Sequence, residues 1–519
     1  MKAECAVSLQ WSSLNARRRA RELDALASNS VVDVLVVGGG ITGMGVALDA
    51  ASRGLSVVLV ERGDIGGGAS STSTDIIHGG VRYLQNRDVL AAVESALERG
   101  YLLQHTATHL VRSLPVLLPD LGELPPKRRW LARAGLQAGE ALRFGVRTDK
   151  SLLPAPRRIS GAEAALLFPT LTADCGGVLS FDAQLEDDHR LVVAVARTAG
   201  SLGAKILPRV SAKWVAGDGA QVRDELTGSE LRITAASVIN ATGVWSDQLE
   251  PGVRYTKRRG SHIMVRSALL GEPRSALLIP VDSSLKDFVF VVGHSDGTTH
   301  IGATDIPLSD DDAATEPTAQ EVSDLLSVAN KALGITITTD EVIGSYSGLR
   351  PVGHDADGNE IDMSRKHLVT VGDTGAITVV GGKLTTYRKM AEDAVDRAIE
   401  LSGIWAADCS TREVRLIGAA PRAQLNAIDA PRRLIDRYGV EATDVLALGT
   451  DEPRLLEPIA EGSPVIGAEF AFAVQRELAM SPEDLVDRRT RIGRVTSQRD
   501  GALDAAQQFC GDPLIGDLR

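Results

Sequence analysis

The feature that most constrains the fold is a glycine-rich turn between two apolar runs near the start of the chain. The first run covers 31–37, and the second, 57–60, ends in the carboxylate of Glu61. Between them the spacing G-x-G-x-x-G is formed by Gly38, Gly40 and Gly43. Such glycines allow a tight turn and bring the backbone close to a pyrophosphate at a helix N-terminus. We therefore predict a dinucleotide site in which Glu61 contacts a ribose hydroxyl and would repel a 2′-phosphate.

Length and composition are those of a globular protein with two or three domains. The chain has 519 residues, 44% of them hydrophobic and 24% charged, and we expect neither a transmembrane helix nor a signal peptide. The net charge of −12 and the 4% aromatic content disfavour nucleic acid as a partner. Because the four cysteines lie far apart, we expect no metal site and a reducing cytoplasm. They are Cys5, Cys175, Cys409 and Cys510.

A basic stretch, 127–158, interrupts this acidic chain and also carries the apolar side chains of Trp130 and Phe144. Its basic residues are Lys127, Arg128, Arg129, Arg133, Arg143, Arg147, Lys150, Arg157 and Arg158. Two interpretations are open. The residues alone favour a solvated charged helix over a surface that lies on an anionic membrane.

Hydrophobic periodicity divides the rest of the chain into helical and extended segments. Some helical character is expected before residue 31, and the Pro-, Arg- and Leu-rich segment 113–160 is predicted to leave the main domain. Helices are predicted at 88–112, 191–202, 318–333, 383–401, 430–438, 466–479 and 482–489. Strands are predicted at 205–207, 237–243 and 368–380, and antiparallel strands within 256–305.

The nucleotide-binding pattern returns at 237–245 and 368–385, on either side of the antiparallel segment. We therefore predict an α/β fold: a discontinuous Rossmann-type FAD-binding domain, an inserted mainly antiparallel α+β substrate domain and a C-terminal helical domain. No second unit of the kind that binds NAD(P)H follows, so electrons must leave to another acceptor. The predicted boundaries are 1–30 for an N-terminal extension, 31–112, 180–255 and 340–402 for the FAD-binding domain, 113–179 for the basic excursion, 256–339 for the substrate domain and 403–519 for the C-terminal domain.

Five further segments, in one order along the chain, carry a family resemblance. They read Ser-Ser-Thr-Ser-Thr-Asp-Ile-Ile-His-Gly-Gly-Val-Arg-Tyr-Leu-Gln at 70–85, Gly-Ser-His-Ile-Met-Val at 260–265, Ile-Gly-Ala-Thr-Asp at 301–305, Tyr-Ser-Gly-Leu-Arg-Pro at 346–351 and Gly-Gly-Lys-Leu-Thr-Thr-Tyr-Arg-Lys at 381–389. Together they make the chain resemble the FAD-dependent glycerol-3-phosphate dehydrogenase family from about residue 31 to 400, and more weakly beyond.

The resemblance implies an FAD site built from several turns. The residues that match the family's ADP-binding part are Gly38, Gly40, Gly43 and Glu61. Those that match its flavin-facing part are Ser71, Thr72, His78, Gly79, Gly80, Ala241, Thr242, Gly243, Gly381, Gly382 and Lys383. The last three resemble a turn before a helix, whose N–H groups stabilise negative charge at the pyrimidine edge of the flavin.

The implied substrate is a small phosphate monoester with a secondary alcohol. The phosphate-binding candidates are Arg82, Arg350 and Lys383, with Tyr83 and Thr385 as hydrogen-bond donors. His262 is the favoured base for the hydroxyl proton, because histidine titrates near neutrality and this segment lines the family's substrate pocket. His78 is assigned to support of the flavin. The expected catalytic residues are His262, Arg350 and Lys383.

The implied reaction is oxidation of sn-glycerol 3-phosphate to dihydroxyacetone phosphate, with hydride transfer to FAD and electrons passed to a membrane quinone. In the bacterial family the region matching the basic stretch lies on the membrane, which implies a cytoplasmic enzyme attached peripherally to the inner face of the cell membrane. A homodimer is compatible with the resemblance. Three alternatives stay open: an oxidase that uses oxygen, a related FAD enzyme acting on a hydroxy or amino acid, and a non-catalytic flavin-binding protein.

The chain departs from the family pattern at three places. Asp75 stands where the family usually has Lys or Arg, Val244 replaces a proline, and Gly293-His294 replaces a Pro-Trp pair. Asp75 leaves open which charge its loop presents to the cofactor. The other two departures bear on the preference for substrate or acceptor.

Overall fold

The computed structural model describes residues 12–80, 88–120, 146–172, 175–252, 255–281, 287–308, 316–354, 360–361 and 367–511. Within these ranges no helix combines the length and the apolar character needed to cross a membrane. Arg82 and Tyr83 lie outside the described residues, as does most of the basic stretch.

The strands that the described residues form all lie before residue 381. They are β1 Val31–Val37, β2 Val57–Glu61, β3 Ile76–Ile77, β4 Val111–Pro119, β5 Arg157–Ile159, β6 Gly177–Leu185, β7 Lys205–Pro208, β8 Val210–Ala216, β9 Gly219–Asp224, β10 Glu230–Asn240, β11 Tyr255–Arg266, β12 Ala276–Pro280, β13 Phe288–Gly293, β14 Thr298–Gly302, β15 Ile306–Pro307, β16 Gly344–His354, β17 Glu360–Ile361, β18 Leu368–Val371 and β19 Ile377–Val380.

Helices flank these strands and make up most of the C-terminal part. They are α1 Ala16–Ser28, α2 Ile41–Ser52, α3 Val89–Tyr101, α4 Gly161–Leu167, α5 Asp188–Ser201, α6 Ala319–Ala332, α7 Tyr387–Ser402, α8 Arg422–Asn426, α9 Arg432–Tyr438, α10 Ala442–Asp451, α11 Gly467–Arg476 and α12 Thr496–Gly511. Short 3₁₀ or π-helical turns occur at Leu102–Thr106, Gly243–Gln248, Leu384–Thr386, Asp484–Arg489 and Ile492–Arg494.

The first sheet is a parallel nucleotide-binding sheet. Its core strands lie in the order β19-β10-β1-β2-β7, and each neighbouring pair is parallel. β1 and β2 are apolar on both faces apart from Asp33 and Glu61, because helices or other strands cover both faces of the sheet. On one face α2 packs between α5 and α7. The predicted α/β fold with a Rossmann-type sheet is confirmed.

The second sheet is mainly antiparallel and follows the order β17-β16-β11-β14-β13-β12-β4-β6-β3. The β12–β4 pair is parallel, and the long β11–β16 ladder sets His262 opposite Tyr346. Helix α6 closes an apolar core against one face of this sheet. The other face turns toward the first sheet and bounds the cleft described below.

The second sheet takes strands from segments that the predicted boundaries assign elsewhere. Among the described residues, β3, β4, β5, β6, β16 and β17 lie in this sheet, whereas the boundaries had put them in the FAD-binding domain or the basic excursion. The helix predicted over 88–112 was also wrong at its end, because α3 stops at Tyr101 and β4 begins at Val111. The helix prediction failed at this end because β4 gains its partner from β6, far along the chain, and local periodicity does not report that pairing.

The C-terminal helices are joined to the first sheet's layer by buried ion pairs. Arg489 pairs with Asp64 at 2.6 Å, and Arg197 pairs with Glu441 at 2.7 Å. Leu14, in the N-terminal extension, is 1% exposed and forms a β-bridge with Glu477. Buried charges are costly unless each is paired, so these contacts favour one arrangement of the C-terminal helices.

Candidate active site

The turn after β1 is tightly packed against the end of β10. Gly38 has a φ of +111°, and a Cβ there would lie 2.6 Å from the carbonyl oxygen of Ala241. A Cβ on Gly43 would overlap the carbonyl oxygen of Gly38. Glycine is therefore required at both positions by the close approach of backbone to backbone.

The N-terminus of α2 and the end of β2 face the space above this turn. Gly40 offers no side chain to cap the helix, and the Ser70 hydroxyl accepts a hydrogen bond from Ile41 N–H at 2.9 Å. Glu61 accepts hydrogen bonds from the backbone N–H groups of Gly39 and Gly63, each at 2.7 Å. A helix N-terminus with no acidic residue in its first turn, beside a fixed carboxylate, suits a pyrophosphate and an unphosphorylated ribose.

Two more glycine turns leave the carboxyl ends of neighbouring parallel strands. Thr242 and Gly243 follow β10, and Gly381 and Gly382 follow β19, with positive φ at all three glycines. A Cβ on Gly243 would meet nothing within 4 Å, so this turn borders open space. Ligands bind at this edge of open α/β sheets.

A cleft of about 1000 Å³ runs from these turns to the second sheet. The predicted cofactor residues that line it are Gly38, Gly40, Glu61, Thr72, His78, Ala241, Thr242, Gly243, Gly381, Gly382 and Lys383. Its size suits an extended ligand such as a dinucleotide, and the glycine turns and the N-terminus of α2 suit the pyrophosphate. The residues present therefore fit FAD.

Four predicted cofactor residues are not in the lining of this cleft: Gly43, Ser71, Gly79 and Gly80. The Ser71 hydroxyl donates to the carbonyl of Gly66 at 2.6 Å, and Gly79 N–H donates to Asp182 at 3.2 Å. A Cβ on Gly80 would lie 2.9 Å from the Cα of Ala92 in α3. Ser71, Gly79 and Gly80 therefore pack on the side of the loop away from the cleft. Thr72 and His78 line the cleft.

His262 lies in β11 and lines the cleft with only 1% of its surface exposed. Its Nε2 is 3.0 Å from the Thr74 hydroxyl. The ring fills the space above Gly302, where a Cβ would overlap it. His262 is thus held at a fixed position between the loop 70–78 and the second sheet.

The electrostatic environment keeps this histidine neutral. Burial holds the pKa of His262 well below its ordinary value of 6.5, and the charges of Arg350 and Arg494 lower it further. His294 acts in the same direction. A neutral imidazole inside a cleft can accept a proton from a bound hydroxyl.

Arg350 lies in β16 and reaches the same cleft. Its guanidinium lies over Gly260 of β11, because a Cβ at Gly260 would overlap the guanidinium nitrogen. The glycine that precedes Ser261 and His262 therefore makes room for a cation. Gly348 likewise makes room for Thr72, because the Thr72 hydroxyl lies where a Cβ on Gly348 would be.

Lys383 and Thr385 complete the described part of the predicted phosphate-binding set. Both line the cleft, and Thr385 is 3% exposed. They lie at the short turn Leu384–Thr386, which runs directly into α7. The structure thus brings Arg350, Lys383 and Thr385 together with His262 in one cleft.

Several cleft residues were not identified from the sequence. The guanidinium of Arg62 lies 5.0 Å from the ring centroid of Trp245, and both line the cleft. Thr74 and Tyr346 were quoted within motifs but had no role, although each contacts His262. Sequence position could have identified Arg62 and Trp245 as cleft residues. Arg62 follows Glu61 directly, and Trp245 lies two residues after Gly243.

Asp75 does not present its charge to the cleft. Its carboxylate is buried, accepts a hydrogen bond from Asp188 N–H at 2.9 Å and pairs with Arg491 at 3.1 Å. Its side chain also lies within 4.8 Å of His294 and His300, a grouping that could hold a metal. We assign none, because Arg491 already neutralises the carboxylate and both ring nitrogens of His300 have hydrogen-bond partners.

The other two departures are packed in different surroundings. Val244 is 3% exposed and lies in a small apolar cluster with Leu308 and Leu349. His294 stacks on His300 with ring centroids 4.0 Å apart. Val244 lines the cleft, whereas His294 lies behind it, beside the C-terminal helices.

Comparison with known proteins agrees with this geometry along the whole chain. Residues 33–388 match the family described as FAD dependent oxidoreductase, and residues 409–514 match the C-terminal domain of alpha-glycerophosphate oxidase. Glycerol-3-phosphate dehydrogenase 1 of Mycobacterium tuberculosis is 43% identical over 511 residues, which covers 96% of this chain and 98% of that protein. The mitochondrial glycerol-3-phosphate dehydrogenase of Arabidopsis thaliana is 32% identical, and the match covers 94% of this chain and 83% of that protein.

Among solved structures, the glycerol-3-phosphate dehydrogenase of Bacillus halodurans complexed with FAD has a TM-score of 0.72 at 26% identity. The match covers 97% of this chain and 95% of that one. The L-alpha-glycerophosphate oxidase of Mycoplasma pneumoniae shares the fold, with a TM-score of 0.57 at 18% identity over 74% of this chain and 99% of that one. The chain therefore belongs to the FAD-dependent glycerol-3-phosphate dehydrogenase family.

Proposed function

We propose that the protein oxidises sn-glycerol 3-phosphate to dihydroxyacetone phosphate with FAD as its cofactor, and passes the electrons to a membrane quinone. One observation carries the proposal: the glycine turns suited to a dinucleotide, a neutral buried histidine and two cationic side chains line the same cleft. The names of the relatives support the same substrate.

The cationic side chains favour a phosphate monoester. Arg350 offers a planar pair of donors, Lys383 a point charge and Thr385 a hydroxyl donor, and the α7 N-terminus adds positive potential at the same wall. Arg82 and Tyr83 are proposed to belong to this set from the family motif alone. A carboxylate substrate would need fewer cations, which disfavours a hydroxy or amino acid.

When bound, FAD supplies the acceptor for the hydride that leaves C2 of the substrate. The protein's own part is to hold the alcohol and to take its hydroxyl proton. We assign proton removal to His262, because it is neutral, buried and fixed by Thr74. Arg350 and Lys383 hold the phosphate at a set distance from that histidine, so that the hydroxyl is aligned with the base before reaction.

The phosphate also tunes the base. Arg350 lowers the pKa of His262. A phosphate dianion bound to Arg350 offsets part of that positive charge and thereby raises the pKa of His262 when substrate is present. The histidine becomes a stronger base at the moment when it is needed.

The direct test is anaerobic titration of the purified holoprotein. We expect a yellow protein with a flavin spectrum that glycerol 3-phosphate bleaches in a 1:1 ratio. A 2-hydroxy acid or an amino acid should leave the spectrum unchanged. Bleaching by either of those compounds, but not by glycerol 3-phosphate, would reject the proposed substrate.

The acceptor is tested separately. With a short-chain quinone and glycerol 3-phosphate in air, we expect quinone reduction with little hydrogen peroxide. One peroxide per substrate, with no gain in rate on adding quinone, would identify an oxidase.

We also propose that the basic stretch 127–158 attaches the protein to the inner face of the cell membrane. The net charge of −12 makes attraction to anionic lipid unfavourable unless it is confined to such a patch. Sedimentation with anionic vesicles should therefore decrease as salt rises, because the Debye length is about 10 Å at 0.1 M salt and about 3 Å at 1 M. Sedimentation unaffected by salt would contradict an electrostatic attachment.

A further inference from the structure

A row of three planar groups runs from the C-terminal part of the chain to the cleft. The guanidinium carbon of Arg494 lies 4.0 Å from the ring centroid of Tyr346. The Tyr346 ring in turn stacks on His262, with centroids 4.7 Å apart and planes 8° from parallel. Arg494 is not in the cleft lining, so its effect on His262 is exerted through Tyr346 and through its charge.

Hydrogen bonds tie this row to the loop that faces the cleft. Arg494 Nη2 donates to the carbonyl oxygen of Ser71. The Tyr346 hydroxyl donates to the carbonyl oxygen of Ser73 at 3.1 Å and accepts from His300 at 3.1 Å. The Thr74 hydroxyl is hydrogen-bonded to His262. Each residue from 71 to 74 except Thr72, which lines the cleft, is thus connected to this row.

The backbone beside Arg494 is fixed against the same strand. Thr496 N–H donates to the carbonyl of Ile343 at 3.0 Å, next to the start of β16. A Cβ on Gly344 would overlap the carbonyl oxygen of Arg494. The C-terminal segment therefore has little freedom to move relative to the strand that carries Tyr346.

We propose that Arg494 is a positioning residue, which holds Tyr346 against His262 and so fixes the orientation of the catalytic imidazole. The inference rests on the assignment of His262 as the base. The C-terminal domain then contributes to the reaction, because its Arg494 holds the Tyr346 ring on which His262 stacks.

The charge of Arg494 contributes as well. The charged or titratable groups that face His262 are Arg350 and Tyr346 on β16, His300 on β14, His294 after β13 and Arg494. Arg494 and Arg350 both favour the neutral imidazole. Removing Arg494 should therefore shift the pH at which flavin reduction reaches half its maximum toward higher values.

The test compares Arg494→Met with Arg494→Lys in the full-length holoprotein, by stopped-flow flavin reduction across pH. We expect Arg494→Met to keep its FAD and its substrate affinity while the limiting reduction rate falls about 10- to 100-fold, as expected for a misaligned base. Its pH profile should move to higher pH. Arg494→Lys retains a cation over the Tyr346 ring, so most of the rate and the wild-type pH profile should return.

Two further variants separate positioning from general destabilisation. Tyr346→Leu removes the ring between Arg494 and His262 and should lower the reduction rate as Arg494→Met does. Arg499→Met is the matched control, because Arg499 lies in the same domain and pairs at 2.8 Å with Asp487. It should behave as wild type.

A wild-type rate and pH profile in Arg494→Met would overturn the inference. So would a loss of rate that is equal in the Lys and Met variants and leaves the pH profile unmoved, because that result indicates a structural role only. If His262→Gln itself reduces flavin at the wild-type rate, the base assignment fails, and that failure is distinct from either outcome with Arg494.

Discussion

The two halves of the cleft are built by different means. The nucleotide half is made of backbone: glycine turns after β1, β10 and β19, and the N-terminus of α2, with Glu61 as its fixed carboxylate. The substrate half is made of side chains on the second sheet, where His262 and Arg350 project from neighbouring antiparallel strands.

This difference determines what each half tolerates. A backbone site needs glycine because no side chain fits, so substitution there displaces the main chain. A side-chain site also uses glycines, but at Gly260 and Gly302 the space is taken by the functional side chain of a neighbouring strand. Substitution in the nucleotide half should therefore affect cofactor retention, and substitution in the substrate half should affect turnover or affinity.

The largest effect is expected from Gly43→Ala in the nucleotide half. Its Cβ would overlap the carbonyl oxygen of Gly38, and neither group can move without opening the turn. We expect the protein to be purified with almost no FAD, measured as the flavin-to-protein absorbance ratio. Gly501→Ala is the control, since Gly501 is also helical and a Cβ there meets nothing within 4 Å. If Gly43→Ala retains full FAD, the backbone description of this half is wrong.

The second-largest effect is expected from a substitution in the substrate half. His262→Gln removes the proposed base but keeps a side chain that can bond to Thr74, so FAD content should be unchanged. The limiting rate of flavin reduction should fall by about 10²- to 10⁴-fold, the usual contribution of general base catalysis. Stopped-flow reduction under anaerobic conditions measures it. A colourless His262→Gln protein would mean that the two halves are not separable as described.

A smaller effect is expected when Arg350 is displaced rather than removed. The Cβ of Gly260→Ala would overlap the guanidinium, which can swing away because it is the end of a flexible side chain. We expect KM for glycerol 3-phosphate to rise about 10- to 100-fold, corresponding to the loss of one charged hydrogen-bonding contact. Gly293→Ala, in the same sheet, is the matched control, because its nearest neighbour would be 3.7 Å away. Equal KM values for the two variants would show that Arg350 does not bind the phosphate.

The same contrast explains how much the sequence could predict. The nucleotide half is encoded in contiguous segments, since the strand, the glycines and Glu61 all fall within 31–61, and this part was predicted correctly in order and type. The second sheet joins strands that are distant in sequence, such as β4 with β6 and β11 with β16. Local patterns do not report such pairings, so the sequence did not predict that these strands share one sheet.

Residues that we propose to act through others were the hardest to find. Arg494 lies among many arginines in a helical region, and no motif links it to Tyr346 or His262. Asp75 was noticed only as a departure, and its partner Arg491 lies more than 400 positions further along the chain. Such contacts follow from tertiary packing alone, whereas Arg350 and His262 could be selected as candidates because each lies in a short motif, two residues after a glycine.

The smallest expected effect is a shift in pH dependence that should occur in one half only. As the proposed base, His262 must be neutral to accept a proton, and Arg350 lowers its pKa. In Arg350→Gln that positive charge is lost, so the pKa of His262 rises toward its ordinary value, and the second-order rate of flavin reduction should reach half its maximum at a higher pH. At saturating substrate the wild-type profile should shift in the same direction, because the bound phosphate offsets the Arg350 charge. Glu61→Gln alters a charge in the nucleotide half and should weaken FAD binding without moving the profile. A shift of similar size but opposite sign in Glu61→Gln would show that net charge, rather than the position of Arg350, controls the base.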